Sequence, residues 1–285
     1  MARIGFVGLG TMGGRIAGRL LSIGHEVYGT NRTRSKADPL IEQGLRWRDS
    51  PREVAEAAEV VFSMVTDDEA LEAVTSGPDG ILSGLAVGQI YVDMSTVSPQ
   101  VNREIAGRVT ALGGFMLAAP ASGDGPAAKD GSLSIIVGGD AEAFERVEPI
   151  LGQLGSTVTF VSDSGQALVL KLAINVSLAV HMFAFSEGVL LAEQGGIERD
   201  LAIDVLMRSA TRSPLLQARV PQLLELPDKA WLDVHDLLSA ARLLGYVHRD
   251  IASLFQVLSE IVTAPAERGL GFGASSASRA LFDPG

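Results

Sequence analysis

The chain has 285 residues, 47% hydrophobic with 32 Gly, which allows two domains and is typical of a soluble α/β enzyme. Its formal net charge of −11 argues against nucleic acid or an anionic membrane as a partner. There is no Cys, which excludes disulfides, thiol catalysis and thiolate metal sites, and the four His form no metal-type pair, so no metal site is expected.

The chain begins with a predicted strand and a glycine-rich turn. Residues 3–8 are apolar and β-compatible with no signal region before them, so we expect a cytoplasmic protein. The turn that follows reads Gly8-Leu9-Gly10-Thr11-Met12-Gly13. It opens a predicted helix, and a second strand follows over residues 27–30. Within such a βαβ unit the three glycines predict dinucleotide binding, and a ligand-free turn is the alternative.

The end of the second strand indicates which dinucleotide binds. NAD-binding folds usually place Asp or Glu there to accept from the ribose 2′-hydroxyl. This chain has Asn31, Arg32 and Thr33 instead, so no carboxylate repels a 2′-phosphate and Arg32 with Thr33 can bind it. The sequence therefore predicts NADP as cofactor, with weaker binding of NAD. A solvated, basic helix start is the alternative interpretation.

Strands and helices continue to alternate as far as residue 161. Strands are predicted over residues 60–65, 90–93, 115–118, 133–137 and 158–161, with helices starting at Ser98-Pro99 and spanning residues 141–154. Loops that follow strands gather on the ligand side of such a sheet. We therefore expect these loop residues to line one cleft with the glycine turn: Val65, Thr66, Thr96, Ser122, Gly123.

A long apolar segment follows, over residues 165–196. It contains no Pro and ends at two glycines, which predicts one buried helix of about 28 residues. Lys171, Asn175, His181 and Glu187 argue against a membrane span, because each is costly in hydrocarbon. Lys171 and Asn175, four residues apart, project from one face toward solvent or a polar cavity. A snorkelling lysine beside a core amide is the alternative.

The rest of the chain shows no strand signals. Helices are predicted over residues 201–209, 237–244 and 251–266. We expect an α/β protein with a Rossmann-type NADP-binding domain, residues 1–163, followed by an all-α substrate and oligomerisation domain, residues 164–285. So much apolar content in a small helical domain favours burial against a second subunit.

Four motifs together resemble the β-hydroxyacid dehydrogenase family, which includes 3-hydroxyisobutyrate dehydrogenases and glyoxylate/succinic semialdehyde reductases. They are residues 5–13, Asp93-Met94-Ser95-Thr96, residues 119–123, and residues 171–175. The resemblance implies a Rossmann-type domain, an all-helical domain, a homodimer or homotetramer, and NAD(P)-linked redox chemistry at a carbonyl.

The resemblance also implies roles for individual residues. Lys171 is the catalytic residue with Asn175 as its neighbour, Ser122 and Gly123 hold the substrate carboxylate, and Thr96 lies by the nicotinamide. Two positions depart from the family pattern: Asp124 replaces a Gly beside the substrate loop, and His235 replaces a lysine that approaches cofactor and substrate. These changes put the usual substrate in doubt. An Asp124 that faces solvent or caps a helix is the simpler interpretation of the first change. The functional alternative is a 3-hydroxy amino acid substrate whose ammonium group pairs with Asp124.

The chemistry of the residues agrees with these roles. Hydride transfer to a carbonyl carbon needs a proton for the oxygen, which a lysine ammonium can donate. The reverse reaction needs a neutral amine, which burial favours. We therefore expect an NADP-dependent oxidoreductase that interconverts a small 3-hydroxy acid and its semialdehyde or ketone. The alternatives are an imine reductase on the same scaffold and a non-catalytic NADP-binding interaction module.

Overall fold

The computed structural model describes residues 1–224, with side chains through residue 219. These residues lie within the first of two compact units of the chain, residues 1–240. The helices predicted over residues 237–244 and 251–266, together with His235, lie outside the described residues.

Nine strands of the described region form one sheet. Their bounds are β1 Arg3–Val7, β2 Glu26–Thr30, β3 Arg46–Trp47, β4 Val60–Ser63, β5 Ile90–Asp93, β6 Phe115–Ala118, β7 Ala121–Ser122, β8 Leu133–Gly139 and β9 Gly155–Val161. The strands in the order β3-β2-β1-β4-β5-β6 are all parallel, which is the order of dinucleotide-binding folds. Strand β8 pairs antiparallel with β6 and β7 and parallel with β9.

Helices cover both faces of this sheet. Their bounds are α1 Thr11–Ser22, α2 Asp38–Glu42, α3 Pro51–Ala57, α4 Asp68–Thr75, α5 Ile81–Gly84, α6 Pro99–Ala111, α7 Gly125–Asp130, α8 Ala141–Leu151, α9 Ser164–Gln194, α10 Arg199–Arg208 and α11 Pro214–Leu224. Helices α3, α4, α6, α7, α8 and α9 each follow a Ser or Asp whose side chain accepts a backbone N–H of the first turn. Such caps satisfy amides that the helix leaves unbonded, and so fix where each helix begins.

An apolar layer lies on each face of the sheet. Alternate side chains of a strand point to opposite faces, so Ile4 and Phe6 of β1 pack with Ile16 of α1, whereas Val7 packs in the other layer with Ile105 of α6. Strands β4 and β5 are buried along their whole length, as central parallel strands require. Because the strands between these layers are parallel, their carboxyl ends all lie at the same edge of the sheet.

Helix α9 takes part in two separate cores. Near its start, Ala167 and Leu168 join the sheet layer that contains Ile105. Near its end, Phe185 and Val189 pack in a small cluster with Ile203 of α10. The helix therefore ties the sheet to the helices that follow it.

Within the described region, α9 is also the one helix long and apolar enough to cross a membrane by length and composition. Core helices of proteins outside membranes meet the same criteria, so this is weak evidence for a span. Lys171 and Asn175 of this helix are both buried against the rest of the protein, as polar residues on the inner face of a core helix are.

The predicted fold class is confirmed: a Rossmann-type α/β region precedes helices. The long helix is confirmed too, at Ser164–Gln194, and the predicted helix at residues 201–209 is α10. The division into domains at residues 163 and 164 stays a prediction.

Several short elements had no predicted counterpart: β3, β7, α2, α3, α5, α7 and α11. The two-residue strands β3 and β7 are too short to show a periodic pattern. Helix α3 did carry a signal, since Ser50 precedes Pro51 and accepts a hydrogen bond from the Glu53 N–H at 3.2 Å. A Ser followed three residues later by Glu is a recognised helix start.

Candidate active site

The three glycines of the first turn lie in different surroundings, so they are needed for different reasons. Gly8 has φ +95°, and a Cβ there would lie 2.3 Å from the Met64 carbonyl oxygen. A Cβ on Gly13 would lie 2.0 Å from the Gly8 carbonyl oxygen, so Gly13 lets α1 seat directly on the turn. Around Gly10, by contrast, a Cβ would meet nothing within 4 Å. Gly8 and Gly13 are therefore required by the fold, whereas Gly10 keeps the space before α1 open.

Asn31 joins the glycine turn to the end of β2. Its Oδ1 accepts the Leu9 N–H at 3.0 Å, and its Nδ2 donates to the Thr33 carbonyl at 2.9 Å. Both ends of the amide are thus used within the protein. Asn31, assigned to the cofactor site from sequence, fixes the position of the loop that carries Arg32 and Thr33.

Arg32 and its neighbour Arg34 are engaged differently. The Arg34 guanidinium lies 5.3 Å from the centre of the Trp47 ring. Arg32 is exposed, and the described part of the chain shows no hydrogen bond or ion pair to it. An exposed guanidinium in such a position can bind an anion without first breaking an ion pair.

The loops after β4 and β5 are linked by buried polar groups. Ser63, Asp93 and Ser95 are 0%, 0% and 1% exposed. The Ser63 and Ser95 hydroxyls donate to Asp93 Oδ1 at 2.7 and 2.6 Å, and Ser95 Oγ accepts the Val65 N–H at 2.9 Å. Burial raises the pKa of Asp93, which the two hydroxyl donors partly oppose. The sequence analysis had given these three residues no role.

Thr66 and Thr96 follow these linked loops. Thr66 is exposed and donates to Asp67 Oδ2 at 3.0 Å, and Thr96 is half-buried. Both lie at the carboxyl edge of the sheet, on the β4 and β5 side of the glycine turn. Their contact with a cofactor or substrate stays a prediction.

The predicted substrate loop at Ser122 and Gly123 joins the end of β7 to the residue that caps α7. Ser122 pairs with Ser134 as β7 joins β8, and Gly123 has φ +146°. Asp124 Oδ1 then accepts the Ala127 N–H at 3.0 Å and caps α7. The cap accounts for a carboxylate at residue 124 without any ligand.

Lys171 and Asn175 lie side by side on α9, and both are buried, with 3% and 4% exposure. They continue the buried stripe that Ala167 and Leu168 begin, so they face the sheet side of the helix. Asn175 Nδ2 is buried and has no hydrogen-bond partner among the residues that the structure describes. A buried amide donor of this kind needs an explanation, and a bound ligand is one.

Among the described residues, no group of three or more His, Asp or Glu side chains could hold a metal ion. His235, predicted near the cofactor, lies outside the described residues.

Two family models match the chain. Residues 3–162 match the NAD-binding domain of 6-phosphogluconate dehydrogenase, and residues 165–241 match the NAD-binding region of NADP-dependent 3-hydroxyisobutyrate dehydrogenase. The chain belongs to the β-hydroxyacid dehydrogenase family. The recognition from sequence motifs is therefore confirmed, as is an NAD(P)-binding domain.

Relatives of this dehydrogenase family member are of two kinds. Glyoxylate/succinic semialdehyde reductase 1 of Arabidopsis thaliana is 34% identical over 220 residues, which cover 77% of this chain and 76% of that protein. The human cytokine-like nuclear factor N-PAC is 34% identical over 223 residues, which cover 78% of this chain but 40% of N-PAC. The chain also spans 62% of the Arabidopsis reductase 2.

Solved structures share the fold of this family member. Psf3 in complex with NADP⁺ and 2-OPP has a TM-score of 0.76 at 27% identity, covering 90% of this chain and 99% of that one. Imine reductases from Streptomyces aurantiacus and Myxococcus stipitatus are 24% and 20% identical, which shows the fold alone.

The residues of this dehydrogenase family member fit an NADP cofactor. The open space at Gly10 and the amides at the start of α1 suit a pyrophosphate. Exposed Arg32 suits the 2′-phosphate of NADP.

The different glycine environments predict opposite results for the same substitution. Gly10→Ala should leave the melting temperature nearly unchanged but weaken NADPH binding by about tenfold or more, because the methyl group occupies space that the pyrophosphate needs. Gly13→Ala should destabilise the fold by at least the ~1–3 kcal/mol typical of overpacking, because its Cβ meets a carbonyl oxygen. Thermal unfolding and calorimetric NADPH titration check both. A stable Gly10→Ala protein with normal NADPH affinity would contradict the role given to Gly10.

Asp124 offers a second test. Asp124→Ala should lower the unfolding free energy by about 0.5–2 kcal/mol, as loss of a helix cap does, whereas Asp124→Asn keeps a capping oxygen and should stay close to the original protein. Denaturant unfolding of the two variants measures the difference. Equal destabilisation by Asn and Ala would show that the charge of Asp124, and not its capping oxygen, matters at this position.

Proposed function

We propose that this chain is an NADP-dependent oxidoreductase that interconverts a small 3-hydroxy acid and its semialdehyde or ketone. Lys171 acts as general acid in reduction and general base in oxidation. Bound NADPH supplies the hydride for the carbonyl carbon. A 3-hydroxy amino acid is a narrower option for the substrate. Because Asp124 caps α7, its carboxylate needs no ammonium group to explain it, but the cap does not exclude such a substrate.

The pair formed by Lys171 and Asn175 is the observation that carries this proposal. An amine and an amide are buried together on one face of α9, and within the described part of the chain the amide has one donor without a partner. Burying polar groups costs free energy unless hydrogen bonds compensate it. A substrate oxygen that accepts from Asn175 Nδ2 would satisfy that donor and would lie next to the Lys171 amine.

The reaction then assigns a task to each group. In the reducing direction negative charge develops on the substrate oxygen, and the Lys171 ammonium stabilises it and transfers a proton to it. Asn175 Nδ2 donates to the same oxygen or to its neighbour and fixes the substrate. Burial of both groups keeps water from competing for these hydrogen bonds.

A carboxylate on the substrate needs donors at a fixed distance from the carbonyl. The Ser122 hydroxyl and the backbone amides at Gly123 and Asp124 are at the end of β7, next to the first turn of α7. Thr96 follows β5 by three residues, and we assign it to the nicotinamide side. This division of polar groups suits a short acid whose two ends are read by different loops.

Two other functions differ from this proposal in their chemistry. A non-catalytic NADP-binding module is the second candidate, because N-PAC is named as a nuclear factor and not as an enzyme, although Lys171 would have no task in such a module. An imine reductase shares the fold, but the amine at residue 171 favours a carbonyl substrate. NADPH oxidation with glyoxylate, succinic semialdehyde and a cyclic imine separates the three functions. Turnover of the aldehydes supports the dehydrogenase, and turnover of the cyclic imine supports the imine reductase. NADPH binding without turnover supports the module.

We also infer a homodimer or homotetramer, a small carboxylate as substrate, and a cytoplasmic location. Exposed apolar side chains on α9, such as Val180 and Leu191, support contact with a further helical surface. Light scattering at several protein concentrations determines the assembly state.

The role of Lys171 predicts a selective loss. Lys171→Met should lower kcat by about 10²–10⁴, because it removes the acid–base group, while NADPH affinity stays unchanged. Stopped-flow reduction of succinic semialdehyde and NADPH titration provide the two measurements. Lys129→Met is the matched control, since Lys129 is an exposed lysine on α7. Near-normal kcat in Lys171→Met would remove this lysine from the mechanism.

Arg32 predicts the choice between the two cofactors. Arg32→Ala should weaken NADPH binding about 10- to 100-fold and leave NADH almost unchanged, because a charge-assisted contact to the 2′-phosphate is lost. Arg34→Ala is the matched control: it removes the same charge from the same loop, but Arg34 already packs on Trp47. Equal loss of NADPH affinity in both variants would show that the overall positive charge of the loop, and not a specific contact of Arg32, attracts the 2′-phosphate.

A further inference from the structure

A chain of buried hydrogen bonds connects the ends of β4 and β5. Asp93 Oδ1 accepts from the Ser63 hydroxyl at 2.7 Å, from the Ser95 hydroxyl at 2.6 Å and from the Ser95 N–H at 3.2 Å. The chain continues from Ser95 Oγ to the Val65 N–H, which it accepts at 2.9 Å. One carboxyl group thus holds the last residue of β4 and both following loops in one arrangement.

The opposite end of this chain is internal to the sheet. The Tyr91 hydroxyl lies 2.7 Å from Ser63 Oγ and is fully buried. Since Ser63 donates its own proton to Asp93, Tyr91 donates to Ser63. Tyr91 therefore supports the network without touching either loop.

Strand pairing alone does not explain a carboxyl group at this depth. Burial raises the pKa of Asp93, and its second oxygen, Oδ2, is buried next to the Asn102 amide without a well-aligned hydrogen bond to any described residue. Isosteric apolar side chains are often as stable as buried charged groups, so stability is a weak reason to keep one here. The two residues that the network holds on its outward side, Val65 and Ser95, directly precede Thr66 and Thr96.

The position of these loops relative to a dinucleotide follows from the strand order. The pyrophosphate lies at the glycine turn after β1, and the ribose phosphate of the adenosine half is read at the end of β2. Strands β4 and β5 lie on the other side of β1. The loops that Asp93 connects therefore border the nicotinamide half.

We propose that Asp93 is a positioning residue, which acts through Ser95 to hold the Val65–Thr66 and Ser95–Thr96 loops together as the nicotinamide side of the cofactor site. The proposal rests on the proposed function for the identity of the cofactor. Asp93 does not touch the reacting atoms. It acts on the backbone of the two loops that, in this proposal, border the nicotinamide.

Binding of two ligands by a Ser95→Ala variant tests this. NADPH spans both halves of the site, whereas adenosine 2′,5′-bisphosphate occupies the adenosine half alone. Ser95→Ala should raise the Kd of NADPH about 5- to 10-fold, the effect of one or two lost hydrogen bonds, and change the Kd of the bisphosphate less than about twofold. Calorimetric titration measures both. A variant that is merely less stable would lose affinity for both ligands.

Tyr91→Phe is the matched control, because it removes a hydroxyl from the same network without cutting the link to Val65. It should leave both Kd values within about twofold. Hydrogen exchange gives a readout without a ligand: the amide of Val65 should exchange faster in Ser95→Ala and not in Tyr91→Phe. The same exchange measurement in Asp93→Asn, which keeps the acceptor oxygen, should stay near that of the original protein.

Three results would overturn the proposal. They are unchanged NADPH affinity in Ser95→Ala, equal loss of both ligands, or equal effects of Ser95→Ala and Tyr91→Phe. Failure of the proposed function looks different: the original protein would bind NADPH and reduce no carbonyl, and the binding comparison would remain valid. If NADPH does not bind at all, the exchange of Val65 still decides whether Ser95 holds the loop.

Discussion

The close approach of α1 to the end of β1 is the constraint on which the candidate site depends. A Cβ on Gly13 would lie 2.0 Å from the Gly8 carbonyl oxygen, so glycine alone lets the helix start at this point. That start aims the unbonded amides of α1 across the carboxyl edge of the parallel strands. At this edge Asn31 fixes the loop after β2 on one side, and the Asp93 network fixes the loops after β4 and β5 on the other.

Helix α9 adds the second part of the site by a different physical means. The Asp163 side chain caps the helix and fixes where it begins, but it does not set which face of the helix turns toward the sheet. The direction comes from the apolar residues Ala167 and Leu168, which dock the start of the helix on the sheet and so turn the same face at Lys171 and Asn175 inward. An apolar contact thus decides where two polar side chains go, because a shift of one residue along the helix would rotate them by about 100° to another face.

Much of this arrangement could be predicted from the sequence, because it follows local rules. The glycine turn, Ser98 before Pro99 and the apolar length of α9 each act over a few residues. Strand β3 and the polar network could not be predicted in that way. Ser63 and Asp93 are 30 residues apart, and β4 and β5 must pair before their side chains meet. For the same reason the cap at Asp124 was one of two open interpretations: a single Asp has the same pattern whether it binds a helix amide or a ligand.

The two polar groups that border the cofactor edge differ in their surroundings, and this difference separates affinity from geometry. Arg32 is exposed, so its attraction for a phosphate is weakened by dissolved salt over a Debye length of about 8 Å at physiological ionic strength. The Asp93 network is fully buried, so its hydrogen bonds are shielded from salt and are strengthened by the low local dielectric. With the proposed roles, the contribution of Arg32 to cofactor choice varies with salt, while the buried Asp93 network keeps the arrangement of the loops after β4 and β5 constant. A site that must bind, release and rebind its cofactor requires both properties, because affinity can then change without disturbing the geometry of hydride transfer.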